Sequence, residues 1–213
     1  HLQRRRQRQM CIRDSIHTII LAAGEGSRMK SKRAKSLQRV GGKTMLEMIC
    51  KTAESISTKI TLIVGFDKNS IINESKSFDF EISTCEQASP IGTGDAVKCG
   101  INEVDDADKV LVLYGDVPLI KKETLENLVS IDDKSLTILS TKVDNPFGYG
   151  RVKKDNDGNV TQIIEEKDAS NADKKISEIF TGILCCNKVL LAEALKEIKN
   201  LSLIHISEPT RHR

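Results

Sequence analysis

Residues 16–37 read IHTIILAAGEGSRMKSKRAKSL, an apolar run that opens into a glycine-rich, basic loop. Hydrophobic periodicity makes Ile16–Ala23 a strand, with the loop following over residues 24–42. Working outward, helix and strand patterns alternate. A helix is predicted at Met45–Ile56, a strand at Lys59–Gly65, a short helix after Asp67 and a strand around Phe80–Cys85. A helix over Thr93–Ile101 precedes the most apolar strand, Lys109–Tyr114, and another helix covers Lys121–Ser130. From Leu136 the pattern becomes strand-rich: Leu136–Val143, Tyr149–Lys154, Val160–Glu165 and Phe180–Asn187, closed by a helix at Val189–Ile198. Asn156-Asp157-Gly158-Asn159 is a hairpin turn between two of these strands. The order predicts an α/β fold: a three-layer, mostly parallel, Rossmann-like sheet with an antiparallel hairpin excursion.

The composition, 38% hydrophobic and 30% charged over 213 residues, fits a soluble globular domain and excludes a disordered tail. No apolar run reaches the ~18 residues a membrane span needs, and no signal-peptide core is visible at the start. The net charge of +3 is concentrated at the ends. Five arginines against one aspartate in 1–15, and two arginines against one glutamate in 201–213, leave residues 16–200 near −2. A basic arm for nucleic acid is one reading of the N-terminus. A more specific one is available: the codons for Met10–Ser15, read in reverse complement, encode Leu201–Ile206. Segments 1–15 and 201–213 are therefore expected to be translated sequencing-adaptor sequence, with the native domain at 16–200 and truncated at its C-terminus. Five cysteines remain in that core, none spaced C-x-x-C, and the only core histidine is His17. This spacing offers no usual zinc site and predicts reduced thiols, with Cys185-Cys186 on a buried strand.

Ligands of such folds bind at the carboxyl ends of the strands, where this chain places LAAGEGSRMKSKRAKSL. Gly24 and Gly26 let backbone N–H groups approach phosphates, and Arg28, Lys30, Lys32, Arg33 and Lys35 add positive charge. A polyphosphate cradle is the functional reading and a solvated charged loop the alternative. A dinucleotide-binding G-x-G-x-x-G fails at Met29, and a P-loop ending in Gly42-Lys43-Thr44 fails at Leu37.

The run LAAGEGSRM followed by Lys35 resembles the nucleotide loop of the sugar-nucleotide pyrophosphorylases. Four further blocks sharpen the likeness: Gln87 with Pro90–Gly94, Leu113–Leu119 (LYGDVPL), Asn145–Arg151 (NPFGYGR) and Ile164–Ala169 (IEEKDA). In this order they are similar to the N-acetylglucosamine-1-phosphate uridylyltransferase domains, which have a GT-A-like nucleotidyltransferase sheet. The resemblance implies an enzyme of the cytoplasm, in cell-wall precursor synthesis, joining UTP and N-acetylglucosamine 1-phosphate with release of pyrophosphate and with Mg²⁺ as cofactor. The attacking phosphate oxygen is ionised at neutral pH, so catalysis rests on orientation and charge neutralisation. By this resemblance Leu21, Ala22, Ala23 and Gly24 contact uracil and ribose, Arg28 and Lys35 hold the triphosphate, and Gln87, Gly92 and Thr93 read the uracil edge. Asp116 holds Mg²⁺, Tyr114 and Gly115 border the sugar, and Gly150 and Glu165 bond it; Glu166 and Asp168 are expected to be solvated. No nucleic-acid or membrane partner is implied.

Three departures accompany the resemblance. Ala34 stands where the family has proline, and Phe180 where it has an asparagine that bonds the sugar nucleotide. The segment with a second metal-ligating asparagine, and the trimerising β-helix that performs acetyl transfer, are absent. Alternatives are a pyrophosphorylase for another sugar 1-phosphate or pyrimidine nucleotide, and a fragment that binds nucleotide sugar without turnover.

Overall fold

The structure is a computed structural model and describes residues 15–25, 31, 33–89, 92–104, 109–131 and 135–197. Arg28 and nearly all of the two adaptor-like ends lie outside these residues. In chain order the strands are β1 (Ile16–Leu21), β2 (Arg39–Val40), β3 (Lys43–Thr44), β4 (Lys59–Val64), β5 (Ser83–Glu86), β6 (Lys109–Tyr114), β7 (Thr137–Lys142), β8 (Arg151–Lys154), β9 (Val160–Ile164) and β10 (Glu178–Asn187). The helices are α1 (Met45–Glu54), α2 (Lys68–Ser75), α3 (Thr93–Ile101), α4 (Lys122–Val129) and α5 (Lys188–Glu197).

Eight strands form one sheet in the order β5-β4-β1-β6-β10-β8-β9, with β7 also on β10. β5, β4, β1 and β6 run parallel, with Ile19 opposite Thr61 and Val112. β10 lies antiparallel to β6 and carries β7 and β8, and β9 pairs with β8. The α/β expectation is met, and the antiparallel portion extends beyond the hairpin alone.

Parallel strands covered on both faces are near-continuously apolar, and β1 is buried throughout, with its polar His17 and Thr18 bonded to Thr61 and Ser57. Ile16, Ile20, Ile60, Leu62, Leu111, Leu113, Ile183 and Cys185 face α1, α2 and α4. Ile19, Leu21, Ile63, Val110, Val112, Leu184 and Cys186 face α3 and α5. The adjacent thiols Cys185 and Cys186 thus point into opposite layers. Burial, aided by the neighbouring Cys185 sulfur, pushes the Cys186 pKa up to about 12.

Two segments differ from the sequence expectation for physical reasons. β5 begins at Ser83, not Phe80, because Phe80 stacks on Phe78 with centroids 5.5 Å apart and lies under the Lys51 ammonium at 5.3 Å. Gly41 and Gly42, at φ +60° and +89°, make the turn of the small β2–β3 hairpin. Thr44, at its end, caps α1 by accepting from the Glu47 N–H at 3.1 Å. The Gly42-Lys43-Thr44 run is therefore a hairpin and a helix cap.

Candidate active site

The parallel strands end together, and hydrogen bonds beyond the regular ladders knit those ends. Gly115 N donates to Leu21 O at 2.9 Å, Ala22 N to Ile63 O at 2.9 Å, Phe66 N to Ala23 O at 3.1 Å and Gln87 N to Val64 O at 2.8 Å. One edge of the sheet therefore presents Leu21–Gly24, Gln87 and Tyr114–Asp116 side by side, although they lie far apart in the chain. This is the edge at which open α/β sheets bind ligands.

Lys35 arrives from the loop after β1. Ala34 and Leu37 are fully buried and anchor a single 3₁₀ turn over Lys35–Leu37. The Ala34 N–H donates to the Asp67 carboxylate at 3.1 Å, and Asp67 itself sits at φ +55°, a left-handed conformation. The Lys35 ammonium is thereby delivered to the Asp116 carboxylate at 2.6 Å. A cation and a carboxylate 81 residues apart in sequence meet at the strand ends.

Tyr114, the last residue of β6, forms the next wall. Its ring lies against Gly182, where a Cβ would stand 2.9 Å from Tyr114 Cζ and 3.1 Å from its hydroxyl oxygen. Gly182 has φ +87°, so this position excludes a side chain both by conformation and by space. Burial raises the Tyr114 phenol pKa, and a hydrogen bond with Thr93 opposes that shift. The carboxylates of Asp116 and Glu165 raise it further, which brings β6, α3 and the end of β9 into one electrostatic neighbourhood.

Gln87 is buried, and its amide N–H groups donate to Gly92 O at 3.1 Å and to the Asp95 carboxylate at 2.9 Å. The side chain therefore shapes the approach to α3. Gly150 is buried and held on β10 by the Phe180 N–H, which donates to its carbonyl at 2.9 Å.

Glu166 is not the solvated residue expected from sequence. Arg151, 2% exposed, donates from Nη2 to Glu166 Oε2 at 2.6 Å and from Nη1 to the Tyr149 carbonyl. The Gly148 N–H donates to the same Glu166 oxygen at 3.1 Å. The Arg151 guanidinium and then the Gly148 N–H hold the Glu166 carboxyl below the usual carboxylate range. Phe180 is also not a ligand-facing substitution: its side chain is buried in the apolar layer with Leu21, Val152 and Leu184. Arg151 and Glu166 lie in the quoted blocks but their pairing was not foreseen, and the parts played by Asp67 and Gly182 carried no motif signal.

Mg²⁺ takes oxygen ligands and is usually held by one or two carboxylates together with substrate phosphates. Asp116 presents one carboxylate beside Lys35 at the strand ends. Among the described residues no three His, Cys, Asp or Glu side chains gather into a metal cage. The donor set therefore fits a cation shared with a phosphate ligand. No helix among the described residues is long and apolar enough to cross a membrane.

Comparison with known proteins agrees with this geometry. Residues 18–151 match the MobA-like NTP transferase domain. The chain is similar to the bifunctional protein GlmU of Psychrobacter sp. (strain PRwf-1), at 41% identity over 188 residues, 88% of this chain and 41% of that protein. It is similar to GlmU of Alcanivorax borkumensis, at 42% over 187 residues, and of Clostridioides difficile, at 42% over 189. Each of these matches covers 87% of this chain and 41% of the relative, so the chain spans well under half of these relatives. The crystal structure of HddC from Yersinia pseudotuberculosis shares the fold with a TM-score of 0.67 at 23% identity, covering 89% of this chain and 84% of that one. The family match runs from β1 to the first residue of β8 and covers more than half of the sequence: the chain belongs to the MobA-like NTP transferase domain family.

Proposed function

We propose that residues 16–200 transfer a uridylyl group from UTP to N-acetylglucosamine 1-phosphate, releasing pyrophosphate, with Mg²⁺ as cofactor. The observation that carries this reading is the Lys35–Asp116 pair, 2.6 Å apart at the carboxyl edge of the parallel strands. The Lys35 ammonium neutralises charge on the phosphates, and Arg28 adds a second cation from the same loop. Asp116 would hold Mg²⁺, which supplies further neutralisation as a hard Lewis acid. Backbone groups of Leu21, Ala22, Ala23 and Gly24 receive uracil and ribose, while Gln87, Gly92 and Thr93 border the base. Tyr114, Gly115, Gly150 and Glu165 border the sugar, the Glu165 carboxylate accepting from sugar hydroxyls. The sugar phosphate enters already ionised, so no residue needs to remove a proton from it. The reading carries with it a cytoplasmic setting.

The test is pyrophosphate release from UTP, N-acetylglucosamine 1-phosphate and Mg²⁺, with parallel wells holding dTTP, CTP or glucose 1-phosphate, and a chelator control. Release confined to the first set, and reduced about 10²-fold or more in Lys35→Met, supports the reading. Release with another pair of substrates replaces the substrate assignment, and silence in every well refutes turnover by this chain.

A further inference from the structure

The hairpin β8–β9 contains a register shift. Lys154 pairs with Val160 near the turn, but Lys153 pairs with Gln162 and Arg151 with Ile164. Continuing the pairing set beside the turn would put Ile163 opposite Arg151, and Glu165 two residues further along the same face. The bulge adds one residue to β9. It therefore sets Ile164, the last residue of β9, opposite Arg151, and the turn that follows carries Glu166 to the Arg151 guanidinium.

We infer that the Arg151–Glu166 pair is a positioning clamp that sets Gly150 and Glu165 at their separation across the open end of this hairpin. The clamp rests on the sugar-binding reading of those two residues given above. Four hydrogen bonds build it. The Arg151 guanidinium bonds the Tyr149 carbonyl and Glu166 Oε2. Glu166 Oε2 also accepts from Gly148 N. Gly150 is tied through its carbonyl to Phe180 N. Arg151 is almost completely buried, and its Nε has no hydrogen-bond partner among the described residues. The partly exposed Glu166 carboxylate is thus the charge that compensates a buried cation, and removing it leaves the guanidinium buried without a counter-charge. Lysine at 151 would keep the charge but not the fork that reaches both acceptors.

The experiment measures binding of UDP-N-acetylglucosamine and of UTP to the whole chain by calorimetry, for wild type, Arg151→Lys, Glu166→Gln and Lys174→Met. It also follows amide hydrogen exchange at Gly148. Lys174 reaches Glu166 only at 3.9 Å from a half-exposed position and serves as the control. The expected result for both clamp variants is a loss of about tenfold or more in UDP-N-acetylglucosamine affinity, with UTP affinity within about twofold and Gly148 exchange accelerated. Glu166→Gln keeps the size of the side chain, so it remains informative if Arg151→Lys fails to fold. Equal losses for both nucleotides, or unchanged Gly148 exchange, overturn the clamp alone. A wild-type chain that binds neither nucleotide overturns the sugar-binding reading and the clamp with it.

Discussion

Gly182 and Gly158 have nearly the same backbone conformation, φ +87° and +86°, in different surroundings. Around Gly158 nothing lies within 4 Å of a Cβ, whereas at Gly182 that atom would meet the Tyr114 ring. Replacing each with alanine therefore separates a conformational cost from a steric one. An L-residue in the left-handed region costs about 1 kcal/mol, which is all that Gly158→Ala should lose. Gly182→Ala carries the same cost and also places Cβ against Tyr114 Cε2, closer still than the 2.9 Å to Cζ, so the ring must move by roughly 1–1.5 Å to restore ordinary contact. That movement strains the Thr93 hydrogen bond and the buried packing of the ring, adding about 2 kcal/mol. The expected total is about 3 kcal/mol, or a Tm lowered by about 6–12 °C, against about 2–4 °C for Gly158→Ala. Thermal and urea denaturation of both variants measures this. A double-mutant cycle of Gly182→Ala with Tyr114→Ala should return a coupling of about 1–2 kcal/mol, because removing the ring removes the clash. Equal destabilisation by the two single variants, or a coupling of zero, refutes the reasoning.

Three further outcomes are expected. Phe180→Asn should destabilise by about 3–5 kcal/mol in urea titration, because it opens a cavity and buries an amide in an apolar layer; tighter sugar-nucleotide binding by a stable variant would contradict this. Ala34→Pro fits the backbone, since Ala34 has φ −52°, but it deletes the N–H that Asp67 accepts. A net loss of about 1 kcal/mol is expected because a charge-assisted hydrogen bond outweighs the entropy a proline saves, and a gain in stability would be the contrary finding. Stability should also fall as pH rises from about 9 to about 12. The Cys186 thiol ionises near its ordinary value of 9.0 when unfolded but near 12 when buried, and Cys50 is raised by burial as well. The unfolded chain thus holds fewer protons across that window, which favours unfolding as pH increases. Denaturation midpoints at pH 8 and pH 10 test the sign. Iodoacetamide mapping at pH 8 should label the half-buried Cys85 and Cys99 before Cys50.

The secondary structure was largely readable because its determinants are local. β6 and α3 were predicted with the bounds observed, and β1 and β4 end within two residues of their expected limits. Their apolar runs could be buried only as two-faced strands or as helices packed on them. The strand that was misplaced, β5, was expected to begin at Phe80, which lies outside it and packs instead with Phe78 and Lys51. Local patterning contains no record of such contacts.

The candidate site was readable as a set of motifs but not as an arrangement. Glycines 24 and 26 and the basic residues after them read as a candidate phosphate loop, with a solvated charged loop as the alternative. Sequence alone likewise determined that the apolar strands should end beside this loop, since parallel strands in an α/β sheet share one carboxyl edge. It did not determine that Lys35 meets Asp116, that Phe180 turns into the core, or that Tyr114 lies on Gly182. Each of those depends on which elements become neighbours. The clearest case is the choice between Glu165 and Glu166. Strand periodicity says that the two point to opposite faces, but the turn after β9 decides which reaches Arg151. Tertiary structure decided it, because a buried guanidinium must find its carboxylate wherever the folded sheet places one.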